Sequence, residues 1–111
     1  MMVSSLFSVI GSGIAMGLGS IGSAVGEGMI AMSAVESLGR QPKASSKLLR
    51  IMIIAQAVTE TAAIFALVIS LLLLFQAGTD SVLKGITFLS AGIAIGLGTI
   101  GAGLGAGLPG A

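Results

Sequence analysis

Residues 51–75 read IMIIAQAVTETAAIFALVISLLLLF, an apolar run long enough to cross a bilayer as one helix, with Glu60 as its single ionisable side chain after Arg50. An ionised, unpaired carboxylate at membrane depth costs at least about 2.5 to 3.5 kcal/mol, so such a residue is protonated, paired with a cation, or turned toward protein. Its first reading is an ion or proton site. A second carboxylate, Glu27, lies in the preceding apolar segment, and the midpoint between the two acids falls at Lys43 and Ala44, within the polar stretch Gly39 to Ser46. An antiparallel hairpin turning there places both acids at one membrane height. At a rise of 1.5 Å per residue, Glu60 lies roughly 24 Å along its helix from the turn, inside the hydrocarbon.

The rest of the composition agrees. Of 111 residues, 55% are hydrophobic and 8% charged, too few polar side chains to cover an ordinary soluble domain. Three stretches, Leu6 to Met32, Ile51 to Phe75 and Ile86 to Leu108, each reach the length of about 20 residues that spans the membrane as helix. The fold class expected is an all-α membrane protein: a helical hairpin plus a third transmembrane helix. With no cysteine and no histidine, disulfides, thiolate metal sites and imidazole catalysis are excluded. The first segment is not preceded by lysine or arginine and outruns a signal peptide's apolar core, so it is expected to be mature structure.

Arg40, Lys43, Lys47 and Arg50 gather around the first turn, whereas the second turn, Gln76 to Ser81, carries Asp80 with Lys84 just after it. The positive-inside rule makes the 39–46 turn cytoplasmic and puts the N-terminus on the opposite side of the cell (inner) membrane. The four cations suit either lipid headgroups or a soluble partner; no nucleic-acid partner is expected.

The first segment is glycine-rich. On a helical wheel Gly11, Ala15, Gly19, Gly22 and Gly26 fall on one side, and Gly13, Gly17, Ser20, Ala24, Gly28 and Ala31 nearly opposite. Pairs such as Gly13 with Gly17, and Gly22 with Gly26, suit close helix packing. Two smooth flanks call for two neighbours, which a closed ring of copies supplies. Between the flanks, Ile14, Leu18, Ile21 and Val25 form a large-residue stripe expected to pack against an outer helix. That outer helix is the second segment, whose 68–75 stretch lacks a small-residue face.

The chain also repeats itself. GIAMGLGSIG at 13–22 recurs as GIAIGLGTIG at 92–101, an offset of 79 positions. Under that offset Glu27 maps to Ala106. The organisation expected is a complete hairpin over 1–76 and the first helix of a second, incomplete hairpin over 77–111, with Pro109-Gly110 at a frayed or truncated end.

A glycine-rich helix, the turn Arg40-Gln41-Pro42 and a leucine-rich helix carrying a buried glutamate resemble the c subunit, or proteolipid, of rotary ATP synthases. The resemblance covers Ser5 to Phe75 as a hairpin and Leu83 to Leu108 as a further first helix, a duplication similar to that of vacuolar-type proteolipids and some hybrid rotors. It implies a homo- or hetero-oligomeric c ring, a stator a subunit, and central-stalk subunits of the catalytic head that meet Arg40, Gln41 and Pro42. It implies that catalysis lies in those partners, with no organic cofactor in this chain. By resemblance to sodium-binding members, the ion ligands are Glu60, Glu27 within Gly26-Glu27-Gly28, the carbonyl of Val58, and Thr61. Such oxygens suit hard cations, Na+ above all, with H+ as the alternative. Ala62 and Phe65 stand where many sodium-binding members have threonine and tyrosine. A small proton-coupled multidrug antiporter is the alternative from another class, but it calls for aromatic side chains around a cationic substrate. This chain has neither tryptophan nor tyrosine.

Overall fold

The computed structural model describes residues 2–78 and 81–111; Asp80, invoked in the charge reading of the second turn, lies outside them. Three helices account for nearly all of it: α1 Met2–Arg40, α2 Ser45–Phe75 and α3 Val82–Gly110, with a 3-10 turn Pro42–Ala44 between the first two. All three are long and apolar enough to cross a membrane. They lie side by side in a body 61 × 18 × 13 Å, so the long axis is about twice the hydrocarbon thickness of roughly 30 Å.

The turn follows from its sequence. A residue before proline is pushed out of the α region, and Gln41 stands at φ −134°, ψ 66°, ending α1 at Arg40. Pro42 then opens the 3-10 turn, where its missing N–H costs nothing. Ser81 caps the start of α3, its hydroxyl accepting from the Lys84 N–H at 3.5 Å.

α1 and α3 run parallel, at backbone contact, because glycines meet glycines. A Cβ at Gly22 would lie 2.5 to 2.8 Å from Ile100 O, Ile100 Cα and Thr99 O, and one at Gly103 would run into Gly22 and Ser23. Gly92 meets Gly11, and Gly107 meets Gly26, in the same way. Absent side chains thus become dispersion contact between backbones, the driving term for helix packing in lipid.

The two helices use opposite flanks of the repeat. The engaged side of α1 is Gly11, Ala15, Gly22 and Gly26. The engaged glycines of α3, at 92, 96, 103 and 107, lie 79 positions beyond Gly13, Gly17, Ala24 and Gly28, which are the other flank. On α1, nothing lies within 4 Å of a Cβ at Gly13, Gly17 or Gly28. The same holds on α3 for Gly98, Gly101 and Gly105, the counterparts of Gly19, Gly22 and Gly26. Gly13 and Gly17 therefore sit on an open flank, whereas Gly22 and Gly26 are engaged within the chain.

α2 runs antiparallel to α1 over the groove between α1 and α3. Gly19 meets Ala66 of α2 and Thr99 of α3 together, and Gly26 meets Thr59. The contact face of α2 is Thr59, Ala62, Ala66, Ser70 and Leu73, small for the most part, and the Ser12 and Ser70 hydroxyls hydrogen-bond across the seam at 2.9 Å. One expectation is corrected here. The stripe Ile14, Leu18, Ile21 and Val25 does not pack on α2: Ile21 and Val25 are exposed, and Leu18 leans on Gly96 of α3. Most of the small residues of the α2 contact face, Thr59, Ala62 and Ala66, precede the 68–75 stretch, because a helix settling into a groove between two others needs small residues at its contact line. Val68, Leu71, Leu72, Leu74 and Phe75 point outward and are exposed.

Pro109 does not end α3, which continues to Gly110, and the Ala111 N–H bonds to Gly107 O and Leu108 O. In a last turn proline forfeits a single backbone hydrogen bond. The Ser33 hydroxyl of α1 donates to the Ala111 carbonyl, fastening this end of α3 to α1.

Candidate functional site: the two membrane carboxylates

The antiparallel register sets the height of both acids. Gly26 faces Thr59, so Glu27 lies level with Val58, and Glu60 is two residues further, about 3 Å along the axis. The acids thus share a level, as the hairpin symmetry predicts.

Glu27 sits half-buried at the seam of α1 and α2 and is held from two directions. The Ser23 hydroxyl, one turn earlier on α1, donates to Glu27 Oε1 at 2.8 Å. Gln56 of α2 reaches across the seam, its Nε2 donating to the Glu27 backbone carbonyl at 3.4 Å. Gln56 precedes Glu60 by four residues and therefore shares its face of α2. Neither Ser23 nor Gln56 was singled out from sequence. The available signal was their four-residue spacing from the two acids.

Glu60, Val58 and Thr61 are all exposed. The Thr61 hydroxyl donates to the Val58 carbonyl at 2.6 Å, which brings these two oxygens together. Val58 and Glu60 flank buried Thr59 on opposite sides of α2. The Glu60 carboxylate accepts no hydrogen bond among the described residues. Within one chain the oxygens therefore form two groups, Glu27 with Ser23 and Gln56 at the seam, and Thr61 with Val58 on the outward surface. No hydrogen bond joins the groups among the described residues. Nor do three acidic side chains gather into a metal cage there, so a cation at this level would rely on hydroxyl and carbonyl oxygens beside the carboxylates.

At the other end of the hairpin, Arg40 forms an ion pair with Glu36 one turn back on α1. Lys43, Lys47 and Arg50 are exposed. Arg40 is thirteen residues past Glu27, about 20 Å along α1, so with the acids at mid-membrane the turn stands clear of the hydrocarbon.

Residues 10–73, which hold both acids and the turn, match the family model of the ATP synthase C subunit. Among similar proteins, the ATP synthase c subunit of Petrotoga mobilis is 46% identical over 70 residues, covering 63% of this chain and 73% of that one. Its counterpart in Natranaerobius thermophilus, also an ATP synthase c subunit, is 50% identical over 68 residues, covering 61% and 78%. The ATP synthase c subunit of Dehalococcoides mccartyi is 41% identical over 76 residues, covering 68% of this chain and all of its own length. α3 lies outside the matched residues.

Proposed function

The chain belongs to the ATP synthase C subunit family, and from that premise we propose that Glu60 is its coupling-ion carboxylate, with Na+ as the ion carried. It is a multi-pass membrane subunit of the rotor ring and not a catalytic subunit. The observation that carries the proposal is Glu60 itself: an exposed carboxylate on an apolar helix, level with a second acid and accepting no hydrogen bond among the described residues. In lipid that group is tolerated only when neutralised.

The cycle follows from that cost. An ion enters through a stator a subunit and neutralises Glu60, the neutral site rotates through lipid, and a stator cation draws out the ionised form before the next ion binds. Glu27, the Val58 carbonyl and Thr61 supply the remaining oxygens for Na+. Because Val58 and Thr61 face outward, they reach an ion shared with a neighbouring copy more readily than one held inside a single chain. A proton rotor needs Glu60 alone. Carbodiimide labelling of membranes separates the two: millimolar Na+ should protect Glu60 at fixed pH if sodium is carried, and pH alone should govern labelling if protons are.

The exposed turn Arg40-Gln41-Pro42 is the proposed contact for the central stalk, on the cytoplasmic side, with Lys43, Lys47 and Arg50 steering that partner or binding lipid headgroups. Replacing all three turn residues by alanine should weaken attachment of the catalytic head by about tenfold or more, since a few central residues carry most of an interface's energy. Na+ protection of Glu60 should stay unchanged. Undiminished head binding to mutant membranes would show the turn to be a lipid-facing patch.

A further inference from the structure

We propose that Ser23 and Gln56 are positioning residues that hold Glu27 ready for a hard cation, an inference that rests on the reading of Glu27 as an ion ligand. Ser12, Ser33 and Ser70 send their hydroxyls across to another segment, whereas the usual hydroxyl bond within a single helix here runs backward to a carbonyl of the preceding turn. Ser8 donates to Ser4 O, Thr59 to Ala55 O, Thr87 to Leu83 O and Thr99 to Ile95 O. Ser23 is 3% exposed and departs from that pattern, donating forward to Glu27 Oε1. One carboxylate oxygen is thereby committed, and Oε2 accepts no hydrogen bond among the described residues.

Gln56 works from the other helix. Its amide N–H fixes the backbone of Glu27, which pins α2 to α1 at the level of the acids. Its amide oxygen accepts no hydrogen bond among the described residues, and Gln56 itself precedes Glu60 by one turn of α2. Two oxygens, Glu27 Oε2 and Gln56 Oε1, are thus uncommitted at one level. Both are oxygen ligands, one anionic and one neutral, of the kind hard cations take. Alkali-ion capture gains because neither side chain has to be ordered on binding. A proton on Glu60 gains nothing from this arrangement, so the pair bears on selectivity for sodium over protons.

The test uses assembled rings in membranes and reads the Na+ concentration that half-protects Glu60 from carbodiimide. Ser23→Ala and Gln56→Met should each raise it by about fivefold to tenfold, the scale of one lost hydrogen bond. Ring mass and the pH profile of labelling without sodium should not change. In a Glu27→Leu background, Ser23→Ala should add nothing, because its effect runs through Glu27. A half-protecting concentration unchanged by Ser23→Ala, while Glu27→Leu still raises it, overturns the positioning role alone. Protection indifferent to Glu27→Leu overturns the ligand reading and this inference with it. Failure of Ser23→Ala rings to assemble would make Ser23 a packing residue and also end the proposal.

Discussion

Glu60→Gln should reduce ion transport to the level of membranes without a ring, while rings of normal mass still assemble. The amide keeps the volume of the side chain, and among the described residues Glu60 makes no hydrogen bond that its replacement would break. What disappears is the reason to load an ion. A neutral glutamine faces lipid whether or not a cation is present, so occupancy no longer decides where the ring stands, whereas an empty glutamate costs at least about 2.5 to 3.5 kcal/mol there. Transport and ring mass are measured on the same membranes, in a strain lacking other carboxylate-bearing ring subunits. Normal transport by assembled Glu60→Gln rings would sink the assignment of this residue.

The glycine flanks give the second large effect, and it differs by position. Leucine at Gly22 must force its way into the α3 backbone, where even a Cβ stands 2.5 to 2.8 Å from Ile100 and Thr99 atoms. Overpacking of that kind costs about 1 to 3 kcal/mol or more, so the detergent-solubilised chain should lose thermal stability before any question of assembly arises. Gly17→Leu meets nothing within 4 Å in its own chain. Its monomer should melt like the parent while its rings fail to close or change size. Thermal midpoints and native mass read together separate the two cases. Rings of parental mass from Gly17→Leu would show that the open flank of α1 is not a contact between neighbours, and an unchanged midpoint for Gly22→Leu would deny that the α1–α3 contact stabilises the chain.

The hairpin was legible in the sequence because its causes are local: apolar length, a proline that pushes Gln41 off the helix, and two acids whose midpoint, at Lys43 and Ala44, falls in the turn that follows. Both flanks of α1 were legible as well, since small residues on a 100° wheel need no partner to be seen. What could not be read was the direction from which α2 arrives. Ile14, Leu18, Ile21 and Val25 look like a contact stripe, yet in lipid large apolar residues gain little by packing on one another. Close approach is the better guide, and it put α2 on the side of Ser12, Gly19 and Gly26. The same blindness hid Ser23 and Gln56, because whether a polar side chain reaches across a seam depends on the rotation of both helices. Only the repeat at an offset of 79 positions, compared with the observed contacts, shows that α3 presents to α1 the flank that α1 itself leaves open.

That pairing of unlike flanks has an arithmetic consequence. If α1 and α3 stand as successive inner helices of a ring made only of this chain, half of the inner-layer joints are already joined by the polypeptide and form during folding at very high effective concentration. A circle with 2n inner helices then closes in n encounters between molecules. Its inner circumference is also counted in twos. An all-identical ring of this polypeptide has an even number of inner helices, and an odd number observed in isolated rings would mean that a single-hairpin relative has been admitted to the circle.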